Sequence, residues 1–365
     1  MNHMIIPYEN LKVLNQPFEN EFKQKFAEFL DEGWYILGAE VHSFEKEFGD
    51  YHHEKYVVGV ANGMDALILS LKCCDFQNGS EVIVPSNTYI AAILAVLHCG
   101  LIPVLVEPDI HTYNIDPGKI GVAITDKTVA ILVVHLYGQC CEMGPILSIA
   151  EDKKLKIIED CAQAHGAIYR GRQAGTFGDF GAFSFYPTKN LGALGDAGAI
   201  ICKSEANYQT LKQLRNYGSN AKYYNLVVGY NSRLDEIQAS FLRIKLMHLD
   251  AINEHKNKLA DIYLKNLDTR FIKPVVSADF YNVYHIFNIR HPDRDRIKAY
   301  LLENNIGTEI HYPIEPHKQE ALKGLNHLKY PISSVIHQTT LSLPCSFAHT
   351  VDDINHVIAV LNKFD

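Results

Sequence analysis

The chain has 365 residues, 47% of them hydrophobic, and a formal net charge of −8. That is enough apolar material for a large core, arranged as two domains or as one large domain with a smaller satellite. Lys and Arg are scattered rather than clustered, which argues against nucleic acid or an anionic membrane as partner and favours a small molecule.

Met1 to Asn10 contain no basic segment leading into an apolar one, and no apolar run nears the roughly 20 residues needed to span a bilayer, so a cytoplasmic protein is expected. The eight cysteines include two adjacent pairs, Cys73 with Cys74 and Cys140 with Cys141, without metal-ligand spacing. Reduced, mostly buried thiols and no metal are the expectation.

After an N-terminal helical segment, short β-branched runs alternate with apolar helical stretches from about residue 55 to 201. The strands are predicted at Tyr56 to Val60, Glu81 to Pro85, Pro103 to Val106, Val129 to Leu136, Lys156 to Ile158, Ala182 to Tyr186 and Ala199 to Cys202. Helices are predicted at Met64 to Cys74, Ile90 to Cys99 and Gly144 to Lys153. This is an α/β pattern: a mainly parallel, seven-stranded sheet covered on both faces, with ligands at the carboxyl ends of its strands.

Residues 233 to 267 carry a long helical period, read as the bridge to a second domain. Beyond it lie strand-like Val283 to Ile289, a helix from Asp293 to Asn304, a strand near Thr308 to Tyr312 and a last helix from Asp352 to Lys363. The predicted division is a large domain of residues 1–248 and a small α+β domain of residues 249–365.

Several of these elements end in residues able to do chemistry. Asn62 and Gly63 precede a helix whose N–H groups at Gly63, Met64 and Asp65 suit a phosphate, although Asn62 is equally an ordinary helix cap. Tyr89 follows a strand and can lay its ring on a flat heterocycle or simply pack.

Asp160 follows a buried apolar run, where a carboxylate needs a partner: a pyridinium N–H or a structural salt bridge. Gln163, three positions on, can reach a phenolate oxygen, and His165 reads as a core histidine. Ser184 and Lys189 lie close to one sheet end: the serine offers a hydroxyl, and Lys189 sits between a Pro187-stiffened approach and the glycine-rich turn Gly192 to Gly198.

A lysine able to form Schiff bases, paired with an acid for a pyridinium nitrogen, is the minimal equipment for pyridoxal 5′-phosphate (PLP) chemistry. Tyr230, Asn231 and Arg233 open a helix as a polar cluster, and His311, Tyr312 and Pro313 end a strand. No G-x-G-x-x-G follows the first strand and no P-loop pattern occurs, which removes nicotinamide dehydrogenases and P-loop enzymes.

Taken together, Asn62 to Leu67, Asp160-Cys161-Ala162-Gln163 through Gly166, and Phe183 through Lys189-Asn190 to Gly198 resemble the sugar aminotransferases of the DegT/DnrJ/EryC1/StrS family, a branch of the fold-type I PLP enzymes. The resemblance implies that Lys189 carries the cofactor, Asp160 holds its pyridine nitrogen, Gln163 meets the ring oxygen and Tyr89 stacks on the ring. It gives the phosphate to Gly63, Met64 and Ser184, with Asn231 reaching across from the other subunit of a homodimer with shared active sites. Met64 departs from the family, where many members place a threonine.

The loop Tyr186 to Gly198 looks most like members that aminate C3 of a nucleotide-linked 3-keto-6-deoxyhexose. By that likeness Tyr186, His311 and Tyr312 line the sugar pocket, with Lys222 from the partner chain. L-Glutamate is the implied amino donor, with pyridoxamine phosphate left after the first half of the reaction. Alternatives are a C4 aminotransferase, a UDP-linked 3-keto-sugar aminotransferase, a dehydratase of the same fold (disfavoured because such relatives replace the lysine, usually by histidine) and a non-catalytic sugar-binding or regulatory protein.

Overall fold

A computed structural model describes residues 5–365. Its centre is a seven-stranded sheet built from β1 (Tyr56–Val60), β2 (Glu81–Pro85), β3 (Ile102–Val106), β4 (Thr128–Val134), β5 (Lys156–Asp160), β6 (Phe180–Ser184) and β7 (Gly198–Cys202). The spatial order is β1-β7-β6-β5-β4-β2-β3. Only β7 runs against its neighbours; the pairs β2/β3, β2/β4, β4/β5 and β5/β6 are all parallel.

The topology follows from the connections. Parallel neighbours need a crossover, and helices such as Ile90–His98 between β2 and β3 and Met143–Lys153 between β4 and β5 supply it. The return from β6 to β7 is antiparallel and needs none, so residues 185–197 stay at the carboxyl end of β6. That loop carries Lys189.

Apolar runs buried on both faces give these strands their continuous Val, Ile, Leu and Phe sequences. Val41, Phe44, Phe48, Ile131, Ile157, Phe183 and Phe185 belong to one layer of core. Val58, Leu67, Leu71, Val84, Ile93, Leu132 and Ile158 belong to the other. All eight cysteines are free and six are buried.

The helical period of residues 233 to 267 resolves into two helices, Glu236–Leu246 and Leu249–Asn266, broken at Met247 and His248. The C-terminal elements pack around Leu259, Tyr263, Phe287, Ile289, Leu301, Leu341 and Val357. Their two-stranded sheet pairs β8 (Phe287–Arg290) with β9 (Thr340–Leu343), antiparallel.

Two expectations here need correction. The strand read from Val283 begins only at Phe287, because residues 283–286 are held by the large sheet's loops: Val283 N–H donates to Gly138 O (3.0 Å) and Ile286 N–H to Tyr137 O (3.2 Å). The strand near Thr308 to Tyr312 is only an isolated bridge, Glu309 with Ser342. Past it, the Tyr137 hydroxyl takes the His311 carbonyl and His337 Nδ1 takes the Tyr312 carbonyl at 2.7 Å, so no ladder continues.

Candidate active site

Five carboxyl ends of the sheet meet in one place. β1 leads into Asn62 and Gly63, β2 into Ser86 to Tyr89, β4 into His135 to Tyr137, β5 ends on Asp160 and β6 on Ser184 before Lys189. Such ends are where open α/β sheets bind ligands.

Of the two adjacent acids on β5, alternation turns only one toward the site. Glu159 is wholly buried on the other face, accepting from Gly175 N–H (2.8 Å), Gly178 N–H (2.6 Å) and His135 Nε2 (2.9 Å). The remaining ring nitrogen of His135 accepts from Cys141 N–H at 3.0 Å. His135, Glu159 and Cys161 lie close enough for a metal. Both ring nitrogens and both carboxylate oxygens are already engaged, so the cluster is a hydrogen-bonded brace between β4 and β5.

Asp160 is also buried, yet its carboxylate has one hydrogen bond among the described residues, from Ala162 N–H at 3.0 Å. No salt bridge among the described residues takes it up. Burial raises its pKa above the ordinary carboxyl value, against the pull of the Ala162 N–H and the Lys189 charge. A buried anion short of a cation is what a protonated ring nitrogen satisfies.

Lys189 faces that acid. Burial lowers its amine to about 8, with Asp160 opposing and the charge of Lys256 adding to the fall. Its Nζ lies 3.3 Å from His285 Nε2.

The helix Gly63–Cys73 is capped by Asn62 Oδ1, which accepts from Asp65 N–H at 2.8 Å. The expectation of three free donors is therefore corrected to Gly63 and Met64. A Cβ on Gly63 would collide with Ser184, so glycine is what lets the Ser184 hydroxyl stand at this helix N-terminus. Two amides, the helix dipole and a hydroxyl converge there, a cradle for a phosphate.

Gln163 is buried and partly committed. Its Oε1 accepts from Tyr137 N–H at 2.6 Å and its Nε2 donates to Tyr312 Oη at 3.0 Å, leaving one amide proton for a ring oxygen. Tyr89 is 55% exposed with its ring 5.2 Å from that of Tyr312, and Tyr186 is 52% exposed beside the lysine loop. His311 stands next to Tyr312, its Nδ1 2.8 Å from Ser342 Oγ, and burial lowers its pKa to about 4.

His165 is buried between Phe183 and Phe185, as expected of a core histidine, although neither ring nitrogen has a hydrogen-bond partner among the described residues. Asn231 and Lys222 are not drawn in: both are exposed and neither bonds to any of these groups. Tyr137, Lys256 and His285 were absent from the sequence reading. Each reaches the site from a distant segment and carries no local signal of its own.

The sequence profile of the DegT/DnrJ/EryC1/StrS aminotransferase family matches residues 17–362. The chain belongs to this family. The chain is 50% identical over 361 residues, 99% of each protein, to the dTDP-3-amino-3,6-dideoxy-alpha-D-galactopyranose transaminase of Aneurinibacillus thermoaerophilus. It is 44% identical over 87% of its length, and 85% of the relative's, to the dTDP-3-amino-3,4,6-trideoxy-alpha-D-glucose transaminase of Streptomyces venezuelae. Among solved structures, DesV of S. venezuelae in complex with a ketimine intermediate superposes with a TM-score of 0.94 over the whole of both chains at 40% identity.

DegT/DnrJ/EryC1/StrS aminotransferases are PLP-dependent, and the residues of this member fit that cofactor. The unpaired acid matches its protonated ring nitrogen, the lowered amine its aldehyde and the amide-and-hydroxyl cradle its phosphate. Gly63→Ala is expected to push Ser184 out of the cradle and weaken PLP retention about tenfold or more, an overpacking cost of the usual size. Absorbance titration of cofactor-free protein with PLP checks it.

Proposed function

We propose that this enzyme moves the amino group of L-glutamate to C3 of a dTDP-linked 3-keto-6-deoxyhexose, making a 3-amino-3,6-dideoxyhexose for a surface glycan or a secondary metabolite. The observation that carries the substrate class is the 50% identity, over nearly the full length of both proteins, to a dTDP-3-amino-3,6-dideoxygalactose transaminase.

PLP, when bound, supplies an aldehyde that takes up the amine and a ring that withdraws electrons. Lys189 would hold it through its amine and, when displaced, would serve as the base that takes a proton from the donor's α-carbon and, in the second half of the reaction, as the acid that gives one to the sugar carbon. The lowered amine suits that work, since near pH 8 it is neutral for part of the time and still able to hold a proton. Asp160 holds positive charge on the ring nitrogen, and Gln163 donates to the ring oxygen. Tyr89 covers the ring face, and Gly63, Met64 and Ser184 hold the phosphate.

Tyr186, His311 and Tyr312 face the sugar. Asn231 and Lys222 serve the site of the neighbouring subunit in a homodimer. Their exposure fits this reading, as does the apolar surface around them: Tyr223, Tyr224, Leu226 and Val228 are 62–94% exposed on the hairpin segment that carries Lys222, and Trp34 is 65% exposed near the start of the helix after Asn231. Exposed apolar area of this kind marks an interface. No helix of the described residues is long and apolar enough to cross a membrane, and a cytoplasmic enzyme is our reading. We place the domain division at residues 248 and 249, where the two long helices meet.

The substrate test is turnover of L-glutamate with a panel of keto-sugar nucleotides, with products identified by mass spectrometry and NMR. Amination at C3 of the dTDP-linked 3-keto sugar is expected. Preference for a 4-keto or UDP-linked substrate overturns the assignment, and failure with the entire panel favours a binding protein.

For shared sites, Lys189→Arg and Asn231→Ala variants are each expected to be nearly inactive. Mixed and re-annealed, they regain about a quarter of wild-type activity, because half the dimers then carry one intact site. No regain places Asn231 outside the partner's site.

A further inference from the structure

We propose that His285 is a positioning residue for Lys189: its neutral imidazole, with the proton on Nε2, donates a hydrogen bond to the free amine and keeps that nitrogen a base aimed into the site. The inference rests on Lys189 being the amine that carries the cofactor.

The segment around His285 is built to hold it there. Gly138, at φ +108°, lets the segment approach closely; a Cβ on it would lie 2.8 Å from His285 N and 2.9 Å from Tyr284 N. Val283 and Ile286 donate to the carbonyls of Gly138 and Tyr137, and Asn190, the residue after Lys189, donates to Val283 O at 2.9 Å. Lys256 Nζ, buried, holds the His285 carbonyl at 3.2 Å. The loop bearing the lysine is thus tied through Asn190 to the segment bearing the histidine, and that segment is itself held on both sides of His285, beside the Nζ···Nε2 contact of 3.3 Å.

The tautomer follows from the other ring nitrogen. Nδ1 is buried with no hydrogen-bond partner among the described residues. An orphaned buried N–H is rarer and costlier than an unfilled acceptor lone pair, which puts the proton on Nε2. There it can only donate, and Lys189 accepts only when its amine is neutral. A Lys189 that has taken a proton loses this bond, so it holds the proton weakly and passes it on.

The charged surroundings keep the imidazole neutral. Burial first, then Lys189, Lys256, His311 and His165, drive its pKa well below the ordinary histidine value. Lys189 itself faces Asp160 and Lys256, and Glu9 faces Lys256 from the N-terminal segment.

The test is pulsed acylation of the full-length, cofactor-free protein between pH 6 and 10, with modification of Lys189 read by peptide mass spectrometry. Only the neutral amine reacts, so the midpoint reports its pKa whether or not Lys189 carries the cofactor; the two assignments fail separately.

The wild-type midpoint is expected near 8. His285→Phe is expected to raise it by about one pH unit, the tenfold effect of losing one hydrogen bond, and His285→Gln, whose amide N–H stands near the lost Nε2, restores it. In the loaded enzyme, His285→Phe lowers kcat with little change in KM.

A midpoint in His285→Phe equal to or below wild type overturns the proposal. Nitrogen-15 shifts of the wild-type imidazole give a second measurement that needs no variant: a protonated Nε2 with a bare Nδ1 supports the assignment, and the reverse tautomer sinks it.

Discussion

Lys189→Arg is expected to abolish the visible absorption of the lysine-linked cofactor and to lower turnover at least about 10³-fold, the scale lost with a nucleophile that also serves as the acid–base group. The guanidinium keeps the positive charge and much of the length of the side chain. What it lacks is a nitrogen that can shed its proton near neutral pH, which Lys189 gains from burial and from the nearby Lys256. Absorbance spectra of the purified variant and its rate with L-glutamate check both parts. Turnover at the wild-type rate removes Lys189 from the chemistry and with it the functional reading.

Asp160→Asn is expected to separate function from stability. The amide fills the same space but cannot hold a positive charge on the ring nitrogen, so turnover falls about 10²- to 10⁴-fold, the range seen when a proton-holding group is lost. The visible band persists because Lys189 is intact.

Without cofactor, the same change stabilises the protein, and the sign can be worked out. A carboxyl group whose pKa is raised by folding binds more protons in the folded than in the unfolded state between its ordinary and raised values. Stability therefore falls as pH rises through that window, and the cost persists at neutral pH. Asn removes it. Thermal melts at pH 7 are expected to show a higher Tm for cofactor-free Asp160→Asn than for cofactor-free wild type, and a smaller rise in Tm when PLP is added. A lower Tm without cofactor means that Asp160 is already satisfied by the protein and is not waiting for a ring.

His135 and Glu159 carry the reverse lesson. Next to Asp160 in the chain, Glu159 has both carboxylate oxygens engaged by two backbone amides and a histidine, so it supports the site without facing it. From the run Ile157 to Asp160 alone the two acids are hard to tell apart; the pleat and the neighbouring loops distinguish them.

What could be read directly from the chain was local. Runs such as Val57 to Val60 and Glu81 to Pro85 encode buried strands by apolar continuity, and all seven central strands lie where such runs occur, β6 starting two residues before its expected position. Asn62-Gly63, Asp160 and Lys189 stand at strand ends, so their common side of the sheet follows from the parallel pattern. The C-terminal part was less legible. β9 and the helix Pro331–Thr339 before it went unread, and the strand expected near Thr308 lost its carbonyls to Tyr137 and His337.

The amino-acid order by itself determined the α/β class, the strand ends and the amine and acid placed on them, because hydrophobic period and turn residues act within a few positions of one another. Only the tertiary structure decided which groups meet: Lys189 with His285 across 96 residues, Gln163 with Tyr312 across 149, and Gly63 with Ser184. Those contacts come from packing between elements far apart in the chain, and no spacing along it encodes them.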